Sequence, residues 1–261
     1  MKIESIESKK ILDEALNYAK NVTVDYTTKE GCNEYITNVI DKFKEAKKGI
    51  DELAENVTYK LENIEELLTT DNVGNMFEVG DELEFELLTG EPVTIVCIGK
   101  NHDILKNGEK ATLTFAFKKC LDGEFEIDPS GSNECGWKNC RMRTVYLPRI
   151  FKLLPKVIQD LIVPVEKIAN NGKDKKETVF DKLFLLSVRE YTGTDEDSLK
   201  GEGEQYEYFA KGNKFLNEYW WTRSPSTNYY NSWSNLFYNG GYINYSHVNL
   251  TYTVRPCFCI C

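Results

Sequence analysis

Hydrophobic residues in the first quarter of the chain recur at alternating spacings of three and four. They are Ile36, Val39, Phe43, Ala46, Ile50, Leu53, Val57, Ile64 and Leu67, with Lys60 interrupting the register. This 3.5-residue period predicts a helix with a narrow apolar seam. The seam has two candidate partners: a second copy of the chain in a coiled coil, or the shorter amphipathic stretch at 11–19 in an intramolecular hairpin. We divide the chain into a helical segment, 1–75, and a second domain, 76–261, and expect a homo-oligomer through residues 36–67.

From Met76 onward the hydrophobic period changes to two, with turn residues between the runs. Residues 81–88 and 93–98, joined by Thr-Gly-Glu-Pro, predict a β-hairpin. The other predicted strands are 111–117, 163–168 and 219–222, and the predicted helices are 137–154, 156–162 and 205–210. Ser187 and Glu190 have the spacing of a capping box that opens a further helix. Helices mixed with local hairpins predict the α+β class.

Charge and composition then restrict the classes of function that the protein can have. The 261 residues include 42 acidic and 32 basic side chains, a net charge of −10. This balance disfavours binding to nucleic acid, which needs a positive surface. No run approaches 18 apolar residues, so membrane insertion is not expected. The first twenty residues lack the apolar core of a signal peptide, and export by the general route is not expected.

Eight cysteines, three of them alternating at Cys257, Cys259 and Cys261, raise the question of disulfides or metal. On a strand these three would share one face and could not easily pair with each other. A metal site formed with Cys135 and Cys140 is the alternative, but no CxxC pair supports it. We predict buried free thiols that pack as small hydrophobic side chains.

Few residues suggest catalysis. The chain has two histidines; His102 is predicted to be solvated in a turn, and His247 lies in an uncharged segment. No phosphate-binding loop, HExxH or GxSxG motif occurs. The acidic stretches at 195–197 and 202–207 are interpreted as solvated surface, with a calcium site as the alternative. We therefore predict a protein that is not an enzyme and that holds no cofactor and no metal.

The most unusual composition lies near the C-terminus. Residues 226–253 hold six Asn and six Tyr and no Asp, Glu, Lys or Arg, in a chain that is 28% charged. Tyr offers a large, stiff contact area, and Ser and Asn offer adaptable hydrogen bonds, as in antibody loops. A recognition surface, an ordinary β-meander and low-complexity disorder all fit this composition. The flanking tryptophans and the apolar run 254–260 favour packed strands on both sides.

Several motifs carry a family resemblance over about residues 76–261. The most specific are Trp220-Trp-Thr-Arg-Ser-Pro225 and Val254-Arg-Pro-Cys-Phe-Cys-Ile260, and Trp137-Lys-Asn-Cys140-Arg141, Asp181-Lys-Leu-Phe-Leu-Leu-Ser187 and Glu204-Gln-Tyr-Glu-Tyr-Phe209 add to them. They resemble a domain family of gut bacteria and their phages, which is similar to the C-type-lectin-fold targets of diversity-generating retroelements. Thr253 departs from the Gly that this family usually has there.

The resemblance implies a C-type-lectin-like domain, of the type found in formylglycine-generating enzymes, with a variable segment at about 226–253. Retroelement miscopying of AAC codons yields many residues but never Lys, Glu, Gln, Met or Trp, and Trp233 would then be a fixed position. The implied function is recognition of a protein or glycan ligand, as in a phage receptor-binding or surface-display protein made in the bacterial cytoplasm and carried on a virion. The implied contact residues are Tyr229, Tyr230, Asn231, Tyr238, Asn239, Tyr242, Asn244, Tyr245, His247, Asn249 and Tyr252. The alternatives are an oxidase that uses the C-terminal cysteines and a structural virion protein.

Overall fold

The computed structural model describes residues 14, 37–48, 68, 73–171, 175–195, 201–215, 219–226, 232–236 and 243–261. Residues 37–48 are helical, as the seam predicts; the other seam positions lie outside the described residues. In this helix Ala46 is buried, at 6% exposed, and Asn38, Val39 and Phe43 are half-buried.

Among the regular elements of residues 73–261, strands predominate over helices. The strands are β1 Glu82–Glu86, β2 Pro92–Lys100, β3 Leu113–Phe117, β4 Leu121–Phe125, β5 Ile162–Val163, β6 Val165–Asn170, β7 Lys176–Asp181, β8 Trp220–Pro225, β9 Ser232–Leu236, β10 Ile243–His247, β11 Tyr252–Val254 and β12 Cys257–Ile260. The helices are α1 Val73–Met76, α2 Gly136–Asn139, α3 Leu147–Phe151, α4 Lys156–Leu161, α5 Val188–Thr192 and α6 Glu207–Ala210, with a π-helical turn at Met142–Tyr146.

Two five-stranded sheets organise these strands. One has the order β1-β2-β3-β12-β5 and is antiparallel throughout; the other has the order β10-β9-β8-β11-β4, in which only β8 and β11 run parallel. β6 and β7 form a separate hairpin. The result is a mixed helix-and-sheet fold, mostly sheet, with a curled antiparallel half-barrel. The α+β prediction is confirmed at this level.

The consecutive residues Trp220 and Trp221 on β8 pack into two different cores. Trp221 joins the larger core, with Trp233, Val254 and Phe258, whereas Trp220 joins the smaller one. This follows from the alternation of side chains along a strand. β8 therefore has a core on each face, which explains why all six of its residues are buried.

Local signals predicted several elements correctly. The hairpin of β1 and β2 and the strand β3 lie where the period of two indicated. At α5, the Ser187 hydroxyl accepts from the Glu190 N–H while the Glu190 carboxylate accepts from the Ser187 N–H, so the capping box is present. The helix ends at Gly193, whose φ of 80° suits glycine.

Two predicted elements are divided in the structure. The helix expected over 137–154 breaks after α2, because Cys140 is extended and the next two backbone N–H groups donate to the Asp128 carboxylate and to the Ile127 carbonyl. The strand expected over 163–168 is split at Pro164 into β5 and β6. Proline has no N–H to donate to a neighbouring strand.

Two predictions of solvated polar groups were wrong. The His102 ring stacks on the Tyr206 ring, with centroids 4.0 Å apart, and both of its ring nitrogens are buried. Glu202 is fully buried, whereas its neighbours Glu204 and Glu207 are exposed as expected. No helix in the described ranges is long and apolar enough to cross a membrane.

Candidate binding surface

Buried tryptophans anchor the start of the uncharged segment. The Trp233 side chain on β9 is fully buried and its indole N–H donates to the Thr222 carbonyl at 2.9 Å. The Trp221 indole N–H donates to the Phe125 carbonyl at 2.7 Å, which ties β8 to β4. The Asn133 amide donates to the Ser226 carbonyl at 2.9 Å, where the segment begins. Buried residues thus hold the N-terminal side of the uncharged segment, 226–253, against the core.

A buried network of charges lies behind β8. The Arg223 guanidinium pairs with both carboxylate oxygens of Glu190 and donates to the Leu185 carbonyl at 3.0 Å. The Lys167 ammonium contacts the Glu190 carboxylate at 3.2 Å and also pairs with Asp103. Tyr206 joins them, because its hydroxyl accepts from Lys167 at 2.8 Å and donates to Asp103. Every one of these side chains is buried.

The network keeps its charges because each one has a partner of opposite sign. Burial alone would raise the pKa of Asp103, but the neighbouring Lys167 and His102 together outweigh it, and that pKa lies well below its usual value. For Glu190 burial also acts upward, and Arg223 and Lys167 bring its pKa down. Burial would lower the pKa of Lys167, whereas Asp103 and Glu190 raise it. At neutral pH we therefore assign full charge to these three groups.

Arg255 anchors the other end of the segment. Its guanidinium donates to the carbonyl oxygens of Phe117 and Lys118 and lies over the Phe215 ring, 4.5 Å from the centroid. It therefore joins the end of β3 to the connection between β11 and β12. All residues from Val254 to Ile260 are buried, which confirms the packing expected of the apolar run 254–260.

Five of the eleven predicted contact residues lie in the described part of the chain. Asn244, His247 and Asn249 are exposed, and Tyr245 and Tyr252 are half-buried. Tyr229, Tyr230, Asn231, Tyr238, Asn239 and Tyr242 fall outside the described residues. Asn244, Tyr245 and His247 lie on β10, Asn249 lies in the turn that follows it, and Tyr252 lies on β11. Strand alternation places Tyr245 and His247 on one face of β10 and Asn244 on the other.

The turn at 247–251 adds an exposed residue that the sequence did not indicate. The Leu250 N–H donates to the His247 carbonyl at 3.0 Å, and the Leu250 side chain is 47% exposed. Val248, between them, is fully buried, and its carbonyl accepts from the N–H groups of Ile127 and Asp128. Val248 thus fixes the turn to the core, while His247 and Asn249 on either side of it are exposed. The sequence did contain one signal for this exposed position, namely an apolar residue, Leu250, within a polar turn.

Tyr252 has a packing role that the composition did not predict. Its ring meets the Trp221 ring edge to face, with centroids 4.9 Å apart. Its hydroxyl lies 3.0 Å from the Ser246 hydroxyl, and Ser246 is buried. Tyr252 therefore packs against the core through its ring and its hydroxyl, and the residue is half-buried.

The chemistry of this surface is hydrogen bonding and apolar contact. His247 and Asn249 offer donors and acceptors, and Tyr245 and Leu250 offer apolar area, whereas the exposed Asn244 lies on the opposite face of β10. The cysteines that could act nearby are unsuited to reaction, because Cys257 and Cys259 are fully buried and burial raises the pKa of both thiols. The described cysteines are all free thiols, and the described residues contain no group of three or more side chains that could hold a metal ion.

The fold and the surface together define a protein of mixed helix and sheet, mostly sheet, that displays an uncharged polar surface near its C-terminus. The chain belongs to a family described as a domain of unknown function, DUF6273, whose model matches residues 111–261. This match includes β3 to β12, both anchoring arginines and the whole displayed surface. Neither the curated proteins nor the solved structures gave a match to the chain.

Proposed function

We propose that this protein is not an enzyme but binds a protein or glycan ligand through the surface built by β10 and the turn at 247–251. The observation that carries the proposal is a division of roles among adjacent residues. Ser246 and Val248 are buried, whereas His247 and Asn249 beside them are exposed. Exposed positions of this kind can change without disturbing the core, as a surface with variable specificity requires.

We further propose that the domain is C-type-lectin-like and that a retroelement diversifies residues 226–253. Two features support this: the segment is free of charged residues, and a buried Trp or Arg anchors it on each side. Antibody loops likewise place Tyr, Ser and Asn on a fixed framework. Several copies joined through residues 36–67 would add avidity, because linked weak sites raise the apparent affinity.

An oxidase is disfavoured by the buried cysteines of β12. Such an enzyme needs an accessible thiol of low pKa, and Cys257 and Cys259 have the opposite properties. A purely structural virion protein would have no reason to vary at the exposed positions while keeping the buried ones. The pattern of natural variation therefore separates this alternative from recognition.

Sequencing the locus in sibling isolates tests the proposal. We expect substitutions to concentrate at exposed positions such as Asn244, His247 and Asn249, with Trp233 and Val248 unchanged. Substitutions spread evenly over residues 76–261 would reject diversification. For binding itself, the full chain is screened on glycan and surface-protein arrays beside the H247A/N249A double variant, with K211A as a remote exposed control. Binding that both variants retain equally would place the contact elsewhere.

A further inference from the structure

One carboxyl group of the buried charge network is in excess. The network contains two cations, Lys167 and Arg223, and three carboxyl groups, Asp103, Glu190 and Glu202. Lys167 pairs with Asp103 and Glu190, and Arg223 pairs with Glu190. Among the described residues, the side chain of Glu202 takes part in no such ion pair. An unpaired carboxylate is costly to bury, and a group in that position gains by becoming neutral.

The hydrogen bonds that reach the Glu202 carboxyl come from neutral groups. One oxygen accepts from the Asn170 N–H at 2.8 Å, and the other accepts from the Ser224 hydroxyl. The Ser224 oxygen in turn accepts from the Val188 N–H at 3.0 Å. Neither donor carries a charge that would compensate a buried carboxylate. The Arg223 guanidinium reaches Glu202 only at its main-chain carbonyl, at 3.0 Å.

The backbone around Glu202 is shaped to bring this one side chain inward. Gly201 and Gly203 on either side have φ of 79° and 95°, a region that favours glycine. A Cβ on Gly203 would lie 2.8 Å from a Glu190 carboxylate oxygen, so the segment rests directly on the network. The Ser187 hydroxyl donates to the Glu202 carbonyl at 2.6 Å. The segment 201–204 is thus held by Glu202 and by its own backbone.

We propose that Glu202 is protonated in the folded protein and acts as a proton-controlled latch, which releases the segment 201–204 from the charge network when the proton is lost. A deprotonated Glu202 would add a second carboxylate beside Glu190 with no cation left to pair with it. Opening of the two-glycine segment would return that charge to water. The latch is independent of the proposed ligand-binding function and needs no ligand for its test.

The charges around the latch come from four elements. Glu190 lies on α5, Arg223 on β8 and Lys167 on β6; on β7, the Lys176 ammonium lies 3.1 Å from the position that a Cβ on Gly201 would occupy. Asp195 accepts from the Gly201 N–H at 2.9 Å.

Burial raises the pKa of Glu202 from 4.5 to about 7, with Arg223 acting in the opposite direction. Between pH 4.5 and about pH 7, Glu202 loses its proton when the segment 201–204 is open and keeps it when the segment is closed. Opening of the segment therefore becomes easier as the pH rises.

Hydrogen exchange of the backbone amides at 201–205 in the full chain tests the latch between pH 5 and pH 7.5. After correction for intrinsic exchange, we expect the opening equilibrium constant to rise by more than about tenfold over this range. In E202Q, which imitates the neutral acid, the constant should stay flat. E204Q removes an exposed carboxyl of the same segment and should keep the wild-type rise.

A direct titration makes the result independent of any variant. The side-chain carboxyl carbon of Glu202 in the unmodified protein, followed by 13C NMR, should titrate with a midpoint near pH 7, well above the ordinary value of 4.5. A midpoint near 4.5 would overturn the proposal. So would exchange at 201–205 that is insensitive to pH in the wild type, or a rise that E202Q retains.

Discussion

The Arg223 guanidinium and the Glu190 carboxylate form a two-point pair in which neither side chain is more than 2% exposed. Arg223 lies on β8, which ends at Pro225 immediately before the uncharged segment, and Glu190 belongs to the capping box of α5. The pair therefore connects the root of the displayed surface to a helix on the other side of the charge network. Paired buried charges of this kind are costly to break from one side only.

Replacement of Arg223 by methionine should destabilise the protein by about 3–5 kcal/mol, because the Glu190 charge would stay buried without its main partner. The free energy of unfolding from urea titration measures this loss. K211M is the matched control, since Lys211 forms an exposed ion pair with Glu207 and should cost less than about 1 kcal/mol. Equal effects of the two variants would contradict the role assigned to the buried pair.

The division between anchoring and displayed residues predicts a second contrast. Trp233→Ala removes a fully buried ring and should cost about 3–5 kcal/mol. His247→Ala removes an exposed side chain and should change the free energy of unfolding by no more than about 0.5 kcal/mol. Urea titrations of both variants beside the wild type provide the measurement. A large loss in H247A would show that His247 belongs to the framework.

Local patterns in the sequence were enough to predict the hairpin of β1 and β2 and the capping box, because each depends on residues close together in the chain. The charge network could not be predicted in this way. Its members Asp103, Lys167, Glu190 and Arg223 are far apart in sequence, and each alone resembles an ordinary surface charge. One signal was present: Lys167 lies between Val165 and Ala169 at a position of β6 that alternation assigns to the buried face.

The exposed surface was predictable only in part. Composition located the uncharged segment, but it did not distinguish Tyr245 from Tyr252, whose ring also covers Trp221. That distinction depends on the register of β11 against its neighbours and on the hydroxyl pair with Ser246. A tyrosine has an apolar ring and a polar tip, so its residue type fits a core edge and a binding surface equally well.

The melting temperature should pass through a maximum as the pH is raised: it should increase on the acid side and decrease on the neutral side. The pKa values of Asp103 and Glu190 are lowered by folding, so their contribution is present above their ordinary values, 3.8 and 4.5, and is lost as the pH falls below them. The pKa of Glu202 is raised to about 7, so its contribution is lost as the pH rises from 4.5 to 7. Melting temperatures recorded from pH 3 to pH 8 should therefore be highest near pH 5.

The E202Q variant separates the two limbs of this curve. E202Q should remove the decrease in melting temperature between pH 5 and pH 7. It should keep the decrease below pH 5, because that decrease depends on Asp103 and Glu190. A melting temperature that still falls across the neutral range in E202Q would assign the decline to other groups.

The thiols of β12 should be protected in the folded protein. Cys257 and Cys259 are fully buried, and burial raises their pKa values, so neither should react with a maleimide on the time scale that labels the exposed Cys261. Peptide mass spectrometry after brief labelling at pH 7 identifies the modified residues, and labelling in urea is the control for reagent access. Rapid labelling of Cys257 or Cys259 would revive the oxidase alternative.

The helical segment offers a test of how the seam is covered. Ala46 is buried within a single chain, whereas Ile40 on the same helix is 47% exposed, and a coiled coil through residues 36–67 requires further copies along the seam. If the proposed homo-oligomer forms, light scattering on the full chain should give a multiple of 30.1 kDa, and F43D, which places a charge in the seam, should reduce it. K44D changes an exposed neighbour and should leave the mass unchanged. A wild-type mass of a single chain would assign the seam to intramolecular packing and would contradict the proposed avidity through residues 36–67.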